Sequence, residues 1–268
     1  MFEGIEVFRQ RLARGEVLLG TGVTLADPQA SDALADAVDF LWVDLEHAAM
    51  SPEALRGHLL ACRSRRRAAV VRVPGSDTAF IKPVLDAGAP GLVVPQVRSV
   101  EEVRNVVADC RYSPAGRRGF GPQVPSDYGR RGGPEYVARA NASVFVTVMV
   151  ETVEAVEAID AIVAVPGLDS VVLGPYDLSG SLGVLGQVEH PSVVEAMLRV
   201  IAAARKRGLP VGSGMGADPE YALLQASRGV QWLQIGGDLG YLVQFADRLM
   251  GDVRQRLRAT PSAGGAAR

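Results

Sequence analysis

The chain has 268 residues, 48% hydrophobic and 22% charged, with a formal net charge of -2. This suits one large globular domain or two small ones, and it lacks the broad basic face that a nucleic-acid partner needs. No apolar run is long enough to span a bilayer, and the first residues, Met1-Phe2-Glu3-Gly4-Ile5-Glu6, have neither the basic nor the apolar region of a signal peptide. The two cysteines, Cys62 and Cys110, have no metal-ligand spacing. They are expected to be reduced core thiols, which suits a cytoplasmic protein.

In chain order, residues 5–14 predict an amphipathic helix, 17–23 a strand, 28–38 a helix and 40–45 a strand. Ser51-Pro52-Glu53 is a helix start, with Ser as the cap and Pro at the first helical position. Residues 68–73 form a strand, 78–87 a helix stopped by Gly88, and 91–95 a strand. Ser99 opens the next helix, with Glu101 and Glu102 in its first turn. Residues 112–133 are rich in Gly, Pro and Arg and have no period, the pattern of a functional loop. The alternation resumes with strand 144–150, helix 153–163, strand 170–173 and helix 191–207, ended by Gly208. Strand 210–212, a helix capped by Asp218-Pro219, strand 232–235 and helix 239–257 complete it. The strands are apolar on both faces, as in a buried parallel sheet. Eight β-then-α units in about 250 residues predict a (β/α)₈ TIM barrel as a single domain over residues 1–258. The small, polar residues 259–268 are expected to be a disordered tail. A doubly wound sheet fits less well, because no strand is followed by a G-x-G-x-x-G turn.

A barrel keeps its chemistry at the carboxyl ends of its strands. Those positions carry Asp44, Glu46 and His47 after the second strand and Arg72 on the third. Gln96 follows the fourth, Glu151 the fifth, Asp177 the sixth, Ser213 the seventh and Asp238 the eighth. Glu151 and Asp177 end consecutive strands, Asp177 in a loop flanked by glycines. Two such acids point first to a hard divalent metal with oxygen ligands. Each rim residue also has a structural reading, as a helix cap or an ion-pair partner. His58 lies mid-helix and reads as structural, and His190 as a helix-start residue. Gly212, Gly214 and Gly216, with Gly236-Gly237, read either as tight turns or as a phosphate site. The only lysines, Lys82 and Lys206, fall in helices on the outside of a barrel. A Schiff-base aldolase needs a desolvated lysine inside, so carbon–carbon chemistry here would require a metal to stabilise an enolate.

Trp42-Val43-Asp44-Leu45-Glu46-His47, Val71-Arg72-Val73-Pro74 and residues 81–89 resemble the HpcH/HpaI aldolases, the metal-dependent (class II) pyruvate aldolases. So do residues 111–119, Glu151-Thr152 and Gly174-Pro175-Tyr176-Asp177-Leu178-Ser179. The resemblance runs over residues 16–249. It implies that Glu151 and Asp177 hold Mg²⁺, Mn²⁺ or Co²⁺, with pyruvate chelated through its carboxylate and keto oxygens. It implies that Arg72 hydrogen-bonds the keto oxygen, that backbone N–H groups around Tyr176 and Asp177 receive the carboxylate, and that His47, oriented by Asp44, moves the proton at the aldehyde oxygen. It further implies a homo-oligomer, a hexamer built as a trimer of dimers, with the last helix packed on a neighbouring subunit through Leu242, Phe245 and Leu249. Three positions depart from the family pattern. Met149 stands where Gln is usual, Leu45 where Gly is usual, and the region of Gly22 where a Trp is usual.

The expected activity is cleavage of a 2-keto-3-deoxy or 4-hydroxy-2-oxo acid to pyruvate and an aldehyde. One alternative uses the same enolate for oxaloacetate decarboxylation and synthase chemistry, or for acyl-CoA cleavage, with Arg117-Arg118 and Arg130-Arg131 as a basic lip. A second is a barrel that binds a keto acid without catalysis.

Overall fold

The computed structural model describes residues 2–259. The tail expected over 259–268 lies, beyond Ala259, outside them. Eight parallel strands close into one barrel in sequence order. They are β1 Leu18–Val23, β2 Phe40–Asp44, β3 Ala68–Arg72, β4 Gly91–Val94, β5 Phe145–Val150, β6 Ser170–Leu173, β7 Val211–Met215 and β8 Trp232–Gly237. The register carries β1 onto β8 with a shift between Gly20 and Gly22. Strands β2 to β6 are buried along almost their whole length. That explains their unbroken apolar runs, since one face meets the lumen and the other meets helices.

The outer helices are α1 Glu3–Ala13, α2 Gln29–Leu34, α3 Pro52–Ser64, α4 Thr78–Asp86, α5 Val100–Cys110 and α6 Gly133–Ser143. They continue with α7 Val153–Glu157, α8 Ile159–Ile162, α9 Pro175–Ser181, α10 Pro191–Lys206, α11 Pro219–Arg228 and α12 Asp238–Ala259. The caps read from sequence are in place. Ser51 accepts from the Ala54 N–H, Ser99 from Glu102 and Asp218 from Tyr221, each satisfying an otherwise unpaired first-turn donor. His190 caps α10 through the Ser192 N–H, and His58 is fully buried with its Nδ1 2.8 Å from Ser31 Oγ. Both cysteines are free and buried.

Helix α1 plugs the amino-terminal end of the barrel. Phe8 packs edge-on against Phe40, Phe145 and Trp232, with ring centroids 5.3, 5.5 and 5.9 Å apart. Burying each such ring contributes about 1.5–3 kcal/mol, and each edge-to-face pair about 0.5–1.5 more. Glycines make this layer possible. A methyl group at Gly20 would lie 2.4 Å from the Phe40 ring, and one at Gly212 would lie 2.2 Å from the Trp232 indole. Gly212 therefore stands in a strand to admit Trp232, and neither the turn nor the phosphate reading applies to it.

Four expectations change. Helix 153–163 is two short helices that meet at Ala158, whose backbone leaves helical geometry (φ -87°, ψ 4°). The aperiodic stretch ends at Gly132, and α6 follows it. Pro134 in the first turn and buried Tyr136, Ala140 and Ser143 at helical spacing carry that signal. Strand β7 runs on to Met215, so Ser213 lies fully buried inside it and not on the rim. Gly174 ends β6 and α9 begins at once, so Asp177 stands in the first turn of a helix and not in a loop.

Candidate active site

The carboxyl ends of the strands surround a cavity of about 290 Å³, lined among others by Trp42, His47, Arg72, Met149, Tyr176, Asp177 and Gln234. Larger clefts lie elsewhere, including one of about 570 Å³ lined by α1 and Gln231, but that one has only Asp169 as an acid. The rim cavity is the place where acids, arginine and histidine converge.

Glu151 continues β5 and is buried at 2% exposure. Its Oε1 accepts the Gln96 N–H at 2.7 Å. Gln96 reaches that position with a left-handed backbone, φ 58°, a conformation non-glycine residues rarely hold without such a role. The Gln96 side chain itself is exposed. The other carboxylate oxygen faces Gly174, where a methyl group would come within 2.4 Å of Oε2. Burial pushes the Glu151 carboxyl up to about 7, and the neighbouring Asp177 and Glu46 charges add to the rise while the Gln96 N–H and Arg72 oppose it. Asp177 is exposed at the rim.

Arg72 is locked. Its Nε donates to Asp44 Oδ1 at 2.9 Å and its NH2 to Asp44 Oδ2 at 2.5 Å. NH1 lies 3.1 Å from Glu46, and the guanidinium stacks 5.7 Å from the Trp42 ring centroid. Burial works against its charge, but the Asp44 hydrogen bonds and the charges of Asp44, Glu46 and Glu151 outweigh it, so its pKa is raised. The bidentate fork fixes the plane of the guanidinium, which a lysine could not reproduce.

Asp44 is not the partner of the His47 ring. Its Oδ1 accepts the backbone N–H groups of Glu46 at 2.9 Å and His47 at 3.4 Å, and its remaining capacity goes to Arg72. The exposed His47 imidazole stands 3.6 Å from Glu46 Oε2. Burial raises the Glu46 carboxyl above an ordinary glutamate, with the charge of Arg72 opposing the rise. The expected orientation of His47 by Asp44 is thus replaced by a Glu46–His47 pair, because Asp44 is saturated by the turn and by Arg72. Asp238 leaves the chemistry too. It is buried, and its oxygens accept the Thr24 N–H and hydroxyl and the N–H groups of Leu25 and Leu239, tying β1 to α12.

Among the described residues no three acids, histidines or cysteines form a ready-made metal cluster. The two carboxylates still fit a divalent cation of the Mg²⁺ type, which commonly takes one or two carboxylates and completes its shell with water and substrate. The fit rests on Glu151. A carboxyl raised by burial and then by the charge of Asp177, with one oxygen unpaired, is relieved by a bound cation.

A profile of the HpcH/HpaI aldolase/citrate lyase family matches residues 24–244. The chain belongs to this family. It is 34% identical to the hydroxypyruvate/pyruvate aldolase of Roseobacter denitrificans, over 89% of this chain and 93% of that protein. The crystal structure of an HpcH/HpaI aldolase from Desulfitobacterium hafniense superposes with a TM-score of 0.87 at 32% identity, covering 96% of this chain and 98% of that one. A citrate synthase, SbnG, superposes with a TM-score of 0.82 at 29% identity, covering 92% and 97%. The chain is thus similar both to aldolases and to a citrate synthase.

Two contributors were not legible as site residues. Glu46 stood on the rim without a role, although its place between Asp44 and His47 marks it. Gln234 is a lone amide in an otherwise apolar strand, and that contrast is the signal that finds it. The backbone of Gln96 left no sequence trace.

Proposed function

We propose that this site generates the enolate of pyruvate and uses it for reversible aldol cleavage of a 4-hydroxy-2-oxo acid, including 2-keto-3-deoxy acids, to pyruvate and an aldehyde. The observation that carries the reading is the buried Glu151 carboxyl, within electrostatic reach of Asp177 and of a guanidinium locked by Asp44. Mg²⁺, Mn²⁺ or Co²⁺ held by Glu151 and Asp177 would supply Lewis-acid polarisation of the keto group. Arg72 donates an N–H to the C2 oxygen and stabilises the negative charge that develops there. Backbone N–H groups of the first turn of α9, at Tyr176 and Asp177, receive the substrate carboxylate. His47, with Glu46 beside it, takes the proton of the C4 hydroxyl as the C3–C4 bond breaks. The bonding pair moves toward C2, the aldehyde departs, and protonation at C3 gives pyruvate.

The SbnG likeness supports a second reading, in which the same enolate arises by decarboxylation of oxaloacetate and adds to a keto acceptor. Proton NMR of pyruvate in D₂O separates the two. Metal-dependent loss of the methyl signal is expected for the aldolase. Glu151→Gln is expected to abolish that exchange while leaving the circular dichroism spectrum unchanged, and full exchange in this variant would remove the cation from the mechanism. Absence of exchange in the wild-type protein with every cation would shift the reading to oxaloacetate.

A homo-oligomer belongs to the same proposal. Along α12 only Asp238 is buried, and Leu242, Val243, Phe245, Leu249, Met250 and Val253 are exposed. An apolar face of this size calls for a partner, and a second copy in a hexamer built as a trimer of dimers is the assembly proposed.

A further inference from the structure

Strand β8 begins Trp232-Leu233-Gln234-Ile235, and the period of two puts Gln234 on the side of Trp232. Trp232 lies in the lumen, so Gln234 forms the next layer toward the catalytic rim. Its neighbours across the strands are glycines. A methyl group at Gly214 would lie 2.8 Å from Gln234 Oε1, and one at Gly22 would lie 3.1 Å from Nε2. The amide occupies room that two side chains would otherwise fill. Nε2 donates to the Gly236 carbonyl, which fixes the two ends of the amide. Oε1 has no hydrogen-bond partner among the described residues. It is not sealed off, because Gln234 is half-buried and lines the same cavity as Arg72 and Asp177. Apart from Gln234, this part of the wall is apolar: Trp42, Met149 and Met215.

We propose that Gln234 determines acceptor specificity by accepting a hydrogen bond from a hydroxyl on the aldehyde half of the substrate. The site then takes hydroxyaldehydes, of the glycolaldehyde class, in preference to alkyl aldehydes. This rests on the aldol reading of the cavity. The physical ground is an asymmetry. Oε1 can only accept, so a substrate hydroxyl satisfies it. An alkyl aldehyde covers it without offering a donor and leaves it unpaired. Met149, in the same lining, offers such a hydroxyl only a weak thioether acceptor, and the Trp42 indole N–H donates and cannot accept.

The test is kcat/KM for addition of pyruvate to glycolaldehyde and to propanal, which replaces the hydroxyl by a methyl group. It compares the metal-loaded wild-type enzyme with Gln234→Met and Gln234→Leu. The glycolaldehyde-to-propanal ratio is expected to fall about tenfold or more in both variants. An unchanged ratio overturns the assignment. Loss of both additions together with pyruvate exchange in both variants also overturns it, since Gln234 would then be shaping the barrel. The wild-type exchange measurement keeps the two claims apart. Exchange with an unchanged ratio sinks only the role of Gln234, whereas no exchange with any cation sinks the aldol reading and this inference with it.

Discussion

Arg72 is a guanidinium whose usefulness depends on its plane. Two hydrogen bonds to Asp44 and the Trp42 ring hold that plane, and the third nitrogen meets Glu46. Arg72→Lys keeps the charge and loses the fork. Metal-dependent pyruvate exchange is expected to fall about 10²-fold or more, as for loss of one oriented donor to a developing oxyanion, and a fall under threefold would mean that charge alone suffices. Glu151 gives a prediction in pH. Its carboxyl titrates near 7 in the cation-free fold, against 4.5 ordinarily. A cation binds only the ionised form, so apparent Mn²⁺ affinity rises with pH, about tenfold per unit below that value, and levels above it. Linkage runs the other way for the empty protein. The folded state holds more protons than the unfolded one between about 4.5 and about 7, so stability falls as pH rises through that window. Electron paramagnetic resonance of free Mn²⁺ across pH 5.5–8.5 would read the binding, where roughly that range brackets the transition. Affinity independent of pH would show that Glu151 is already ionised.

At the scale of elements, glycine placement decides the shape of the lumen. Gly20, Gly212 and Gly214 face inward where Phe40, Trp232 and Gln234 lean across the barrel. Trp232 cannot retreat, since Phe8, Phe40 and Phe145 enclose its ring and its Nε1 donates to Ser170 at 3.0 Å. Gly212→Ala is therefore expected to destabilise the fold by about 1–3 kcal/mol, the usual cost of overpacking, measured by chemical unfolding. A neutral result would mean that the indole layer has slack. The strands and caps were readable because burial on both faces and cap chemistry are written locally, as at Ser51-Pro52. The lumen glycines were not. Their partners lie on neighbouring strands, and period two alone does not tell a glycine that makes room from one that makes a turn. The break at Ala158 and the immediate start of α9 after Gly174 were lost for a similar reason, since short helices lack enough residues to show a period.

For the molecule as a whole, α12 is the element that reaches beyond the barrel. It leaves the barrel after Asp238 has clamped it to Thr24 and Leu25, and its apolar face has no cover among the described residues. Leu242→Glu with Phe245→Glu is expected to reduce the assembly to smaller species by light scattering, with the barrel still folded. An unchanged mass would place the interface elsewhere.

The sequence by itself determined the architecture and the cast. Eight apolar runs followed by amphipathic ones allow few closed parallel sheets, and Asp44, Arg72, Glu151 and Asp177 fall at strand ends where a barrel must bring them together. Of the described helices none is long and apolar enough to cross a membrane. Tertiary structure alone decided who partners whom. Asp44 has few lone pairs, and the turn after β2 and the fork from β3 take them, so the His47 ring meets Glu46 instead. Likewise the space for Gln234 comes from glycines on β1 and β7, strands at the opposite end of the chain and next in the ring. Which donor reaches which acceptor depends on distances across the closed sheet, and those are set by packing that no local stretch of chain encodes.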